Sequence, residues 1–160
     1  MFPRLSPAPL YLALVSALTA TASQAADLSW VDPAVASVNS QVISLRHTIH
    51  QNPEMGNQEF KTAALVAEQL KSLGLEVRTQ VGKTGVVAVL KGALPGPVMA
   101  LRADMDALPV KEMTGLPYAS KATGTRLGKT VPVMHACGHD THTAMPVSYT
   151  HLRAHETCAD

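Results

Sequence analysis

The chain has 160 residues, a length that favours one domain or a fragment of one. Lys and Arg number 13 against 12 Asp and Glu, a formal charge of +1, so the sequence lacks the basic footprint of a nucleic-acid-binding domain. Two cysteines are too few for a disulfide scaffold, and the composition fits neither collagen, coiled coil nor a disordered tail.

In chain order, Arg4 is the lone charge before Asp27, and Leu10 to Leu18 is an apolar run of signal-peptide length, short for a membrane span. Small residues follow to Ala26, with Ser23 and Ala25 placed for cleavage after Ala25. Residues 1–25 are expected to be a secretory signal peptide, giving an exported product, periplasmic or secreted, with no membrane anchor after cleavage. Asp32-Pro33 is a helix start, and Val35, Val38, Val42, Leu45 and Ile49 form one apolar stripe that ends at Asn52-Pro53. A second helix is predicted from Gln58 to Leu73, with Phe60, Ala64, Ala67, Leu70 and Leu73 inward and Gly74 as its stop. Leu75 to Val81 alternates as a half-buried strand. Val86 to Leu90 and Val98 to Leu101 read as central strands joined by the turn Leu94-Pro-Gly-Pro97, and residues 111–130 as a surface loop. The fold class is α/β, a sheet flanked by helices whose C-terminal strand edges carry the site.

Pro146 is expected to stop a helix begun near Thr141. Beyond it no apolar period continues, and Ser148-Tyr-Thr-His-Leu-Arg-Ala-His-Glu-Thr157 resembles translated adapter sequence. Residues 146–160 are therefore expected to be a non-native tail, and His151, His155 and Cys158 are set aside as ligands. The remaining unit is a partial catalytic domain over residues 27–145.

Two stretches carry chemistry. In Arg102-Ala-Asp-Met-Asp-Ala-Leu-Pro109, Asp104 and Asp106 stand two apart, so on an extended backbone their carboxylates point the same way. Two like charges that close need a cation or donors between them; a solvated turn is the plain alternative. In Val133-Met-His-Ala-Cys-Gly-His-Asp-Thr-His142, imidazole and thiolate donors suit zinc and similar metals. Alternation on an extended segment would set His135, Cys137 and His139 on one side. The credible part of the chain offers no second ligand pair at finger spacing, which points to an open, catalytic type of metal site. A cysteine hydrolase using Cys137 with a histidine base, and an exported non-enzymatic metal-binding domain, are the rival readings.

These stretches resemble the start of a metal-dependent amidohydrolase of the aminoacylase–carboxypeptidase superfamily, in the branch of hippurate, N-acyl-amino-acid and indole-acetyl-amino-acid hydrolases. Arg46-His-Thr-Ile-His-Gln-Asn-Pro-Glu54 with Glu59, Thr84 to Ala88, Ala100 to Pro109 with Thr114-Gly-Leu-Pro117, and Met134 to Ala144 carry the resemblance. It implies the N-terminal part of a two-metal-hydrolase catalytic domain, incomplete and without its lid domain, acting on a small N-acyl amino acid through metal-activated water. Cys137 and His139 would be ligands to two divalent ions (zinc, manganese, cobalt or nickel), and Asp106 would support the site. Asp104, His135, Asp140 and His142 would lie around the ligands, while His47, His50 and Glu54 would brace a helix end. The resemblance places the general base in a Glu-Glu pair, with further ligands beyond it and a lid domain used in homodimer contacts. No Glu-Glu pair occurs in the 160 residues, so this chain is expected to be inactive alone.

Overall fold

The computed structural model describes residues 28–157. The signal-peptide reading of residues 1–25, and Cys158, lie outside them. Helix α1 (Val31–Gln51) is followed by α2 (Phe60–Ser72), the strands β1 (Glu76–Val81) and β2 (Gly85–Val89), the strands β3 (Thr123–Arg126) and β4 (Lys129–Pro132), and α3 (His139–Thr157). β1 pairs antiparallel with β2 and β3 with β4, each as a two-stranded sheet. Among the described residues, no helix is long and apolar enough to cross a membrane.

The main core forms where the three helices meet. Leu45 and Ile49 of α1, Val66 and Leu70 of α2, and Ala144 and Val147 of α3 are buried together, with Val77, Val86 and Ala88 of the first hairpin against them. Ile49, 1% exposed, contributes about 1.5–3 kcal/mol through burial alone. A smaller cluster of Met55, Ala107 and Val133 lies under the second hairpin.

The helix stripes hold with local shifts. α1 starts one residue before Asp32 with Trp30 at its cap, because the Val31 amide already bonds the Leu28 carbonyl at 3.0 Å. Asp32 sits instead in the first turn, where its charge favours the helix dipole. Val38, Leu45 and Ile49 are buried, but Val35 is half exposed, since the first turn overhangs the core. In α2 the inward residues are Thr62, Ala63, Val66, Ala67 and Leu70, while Phe60 and Ala64 are exposed. The cause is Glu54, whose carboxylate accepts the Lys61 and Thr62 amides at 3.1 and 2.8 Å and the Thr62 hydroxyl at 3.0 Å. That cap turns Thr62 inward and sets the rotation of the helix. Gly74 does close α2, at φ +76°, its amide bonded to the Lys71 carbonyl at 2.9 Å.

Three expectations are corrected. Val98 to Leu101 is no strand: Val98, Met99 and Leu101 are exposed, because a central strand needs partners on both sides and none of the described strands reaches them. Residues 123–130, within the stretch read as loop, belong to the β3–β4 hairpin that runs on to Pro132; Leu127 and Gly128, both at positive φ, make its turn. α3 runs through Pro146, which removes one backbone donor. Burial of Ala144, Val147 and Ala154 on either side outweighs that loss.

At the end of the first hairpin a side chain on Gly85 would collide with the carbonyl oxygen of Val81. Gly85→Ala is expected to cost about 1–3 kcal/mol, read as a lower urea midpoint with an unchanged slope.

Candidate metal centre

Asp106 is set by three chain segments lying side by side. The Ala107 amide donates to the Glu54 carbonyl at 2.7 Å, within a parallel bridge of Met55 to Ala107. On the other side Leu108 and Met134 exchange amide bonds of 2.9 and 3.0 Å. After Met134 the chain turns instead of staying extended: the Ala136 amide returns to the Met134 carbonyl at 2.9 Å and Gly138 takes φ +82°. The Thr141 and His142 amides both bond the Gly138 carbonyl at 3.0 Å and open α3.

This turn places His139 at the first position of α3, its ring against Asp106. Nδ1 lies 2.9 Å from the Asp106 carbonyl and 3.0 Å from its carboxylate. Both partners are acceptors only, so Nδ1 carries a proton, and in the neutral ring the lone pair is on Nε2. A histidine held in that way by a carboxylate is prepared as a metal ligand. Cys137 is a free, exposed thiol one residue before Gly138. The His142 ring is stacked 5.6 Å from that of His139, and His142 is exposed.

The same turn overturns the alternation expected of His135, Cys137 and His139. His135 is 4% exposed and Cys137 faces out, so the three do not share a side. Among the described residues neither ring nitrogen of His135 has a hydrogen-bond partner, and burial pushes its pKa down to about 4. The segment carrying Asp104 and Asp106 is not a strand, yet both carboxylates feel the His139 ring. Asp104 is exposed and bound to Arg102 at 2.8 Å, which holds its carboxyl below the usual range. Its carbonyl accepts the Thr143 hydroxyl at 3.1 Å.

Asp140 is 1% exposed and faces α1, away from solvent. One carboxylate oxygen accepts Arg46 Nε at 2.7 Å and His50 Nδ1 at 2.8 Å; the other has no protein partner. His50 Nε2 faces Glu112 at 3.2 Å, and Glu112 also accepts the Thr114 hydroxyl at 2.5 Å and the Ser120 amide. Arg46 Nη1 donates to the Tyr118 hydroxyl at 3.1 Å, and Tyr118 stacks on His47 at 3.7 Å. His50 and Glu54 thus brace their neighbours. Sequence reasoning missed Glu112 and Tyr118, which sit in the stretch taken as a solvated loop; a lone acid and a lone aromatic there gave no periodic signal.

Among the described residues, no three His, Cys, Asp or Glu side chains gather closely enough to cage a metal ion. The donors that fit are the Cys137 thiolate and His139 Nε2, soft and borderline ligands on one turn.

The model of peptidase family M20/M25/M40 matches residues 100–156. The N-acetyl-L-cysteine deacetylase of Bacillus subtilis is 47% identical over 110 residues, covering 69% of this chain and 24% of that protein. Over the part it spans, the chain is similar to members of peptidase family M20/M25/M40. The hippurate hydrolase of Campylobacter jejuni is 50% identical over 111 residues, 69% of this chain and 27% of the relative. A Bacillus subtilis crystal structure, described as a dinuclear metal binding peptidase from the M20 family, superposes with a TM-score of 0.67 at 37% identity. It covers 76% of this chain and 32% of that one. The mixed helix and sheet arrangement is therefore that of part of an M20 catalytic domain. It spans about a quarter of the length of these two curated relatives.

Proposed function

We propose that this chain represents the N-terminal part of a metal-dependent amidohydrolase that cleaves the amide bond of N-acyl amino acids or related amides. The observation that carries the reading is the His139–Asp106 pair beside the exposed Cys137 thiol. The names of the relatives, a deacetylase of an N-acetyl amino acid and a hippurate hydrolase, support the substrate class. The dinuclear description of the solved relative supports two divalent ions; zinc, manganese, cobalt and nickel all accept thiolate and imidazole. When bound, such ions polarise a carbonyl and acidify a water.

This chain's residues prepare ligands. Asp106 fixes the Nδ1 proton of His139, and the turn at Gly138 presents Cys137 outward. With no Glu-Glu pair in the 160 residues, no general base of the family pattern is present, and this chain alone does not turn over substrate. Residues 1–25 direct export to the periplasm or beyond, and the complete enzyme pairs into a homodimer.

The test has two arms. The purified 160-residue chain, supplied with each metal, is expected to leave N-acetyl and N-benzoyl amino acids intact; hydrolysis at the rate of an intact family enzyme would refute the inactivity. Sequencing the genomic locus across the codon for Met145 and expressing the whole frame is expected to give chelator-sensitive hydrolysis. There Asp106→Ala should weaken metal affinity about 10–100-fold. Activity that survives chelation and needs Cys137 would instead favour the cysteine hydrolase.

A further inference from the structure

The segment 46–54 bonds the residue that follows each half of the His139–Asp106 pair. Its Glu54 carbonyl receives the Ala107 amide at 2.7 Å, which fixes the stretch carrying Asp106. Its Arg46 and His50 side chains hold the Asp140 carboxylate at 2.7 and 2.8 Å, which fixes the first turn of α3 and with it His139, the residue before Asp140. Both anchors lie within or just beyond the last two turns of α1, whose Ile49 is among the most buried side chains in the molecule.

We infer that Arg46 and His50 are positioning residues: through Asp140 they hold the His139 ring at hydrogen-bonding distance from Asp106 and keep its proton on Nδ1. The inference rests on the proposed role of His139 as a ligand and adds how its orientation is fixed. His50 is suited to this, since it is 4% exposed and tied on its other nitrogen to Glu112, which is itself held by Thr114 and Ser120. Arg46 adds a second donor to the same carboxylate oxygen and is steadied by Tyr118. If Asp140 is released, the opening of α3 can shift by a fraction of an ångström relative to Ala107. A hydrogen bond of 3.0 Å does not survive much of that.

The experiment is a nitrogen-15 spectrum of histidine-labelled, metal-free chain, recorded well above the ordinary imidazole pKa of about 6.5. The His139 signals are assigned by their loss in His139→Gln. The wild-type chain is expected to show one protonated and one bare ring nitrogen, with the proton on Nδ1. His50→Phe is expected to draw the two signals together as both tautomers become populated. Arg46→Met, at a partly exposed position, should shift them the same way by less. Val38→Ala, buried near the other end of α1, lowers stability and should leave the His139 signals where they are.

Wild-type-like His139 signals in a folded His50→Phe chain would overturn the inference, and if that chain does not fold, the same result in Arg46→Met would do so. An equal shift in Val38→Ala would also overturn it, because any loosening of the fold would then suffice. A wild-type chain with the proton on Nε2 would remove the His139–Asp106 pair, and with it both this inference and the metal-ligand reading beneath it.

Discussion

Asp140→Ala is expected to lower folding stability by about 3–5 kcal/mol, as when one member of a buried ion pair is removed. The carboxylate is 1% exposed and is the shared acceptor of Arg46 and His50. Its loss leaves the His50 Nδ1 donor inside the core facing nothing, whereas Arg46 is exposed enough for water to replace part of the lost contact. Asp140→Asn retains an acceptor oxygen of similar shape and should cost less than half as much. Urea unfolding near neutral pH checks this: the midpoint falls and the slope stays constant. A midpoint for Asp140→Ala within about 1 kcal/mol of wild type would show that the network holds position without holding the fold. The pH dependence has a definite sign. Burial pushes the Asp140 carboxyl up, but the hydrogen bonds from His50 and Arg46, with the nearby Thr141 amide dipole, outweigh it and hold it below the usual range. This stability is therefore full above the unfolded carboxylate pKa of about 3.9 and is lost as pH falls through the lower folded value.

The second large effect lies at higher pH and belongs to His135. Burial outweighs the attraction of Asp140 and lowers its pKa from 6.5 to about 4. Between those values the unfolded chain binds a proton that the folded chain refuses, so stability rises with pH. Acidification from pH 7 to 4 should then remove about 3 kcal/mol, since a proton bound only by the unfolded chain costs about 1.4 kcal/mol for each pH step of one between the two values. His135→Leu should flatten this limb of the stability curve. At neutral pH the same substitution replaces two partnerless buried nitrogens by apolar atoms and should change stability little. Urea midpoints at both pH values for both chains separate the cases, and parallel acid limbs would contradict the assignment. The two effects occupy different windows, so one titration series reads both.

The main helices were legible because their apolar residues recur at helical spacing, as Val38, Leu45 and Ile49 do. The first hairpin was legible as strand, but the alternation read over Leu75 to Val81 holds only to Val77, beyond which the strand is exposed and its register shifts. What periodicity could not give was rotation and register. The inward face of α2 is set by Glu54, a residue outside the helix, and no pattern within α2 reports a cap that arrives from elsewhere. Val98 to Leu101 has the composition of a central strand, but composition cannot supply the neighbours that make one. Pro146 shows the opposite error: a local rule gave way to burial on both sides of it. At the site, residue type singled out Asp106, Cys137 and His139, and the structure brings His139 and Asp106 into contact. The separation of His135 from Cys137 was not legible, because it depends on the turn at His135, where the Ala136 amide returns to the Met134 carbonyl. The network of Arg46, His50, Glu112 and Asp140 joins residues up to 94 positions apart, a distance over which a single sequence carries no pairing signal.

The exposed ribbon from Lys91 to Arg102 makes the molecule divisible. Before it lie α1, α2 and the first hairpin; after it lie the second hairpin, the turn at 134–138 and α3. The two parts recognise each other through the helix core and through the bonds from Arg46, His50 and Glu54, none of which uses the ribbon. Cutting it would break a tether and no contact, so the loss is the entropy of joining two pieces. Residues 28–94 and 98–157, produced as separate polypeptides, should find one another and rebuild the His139–Asp106 pair without a covalent link.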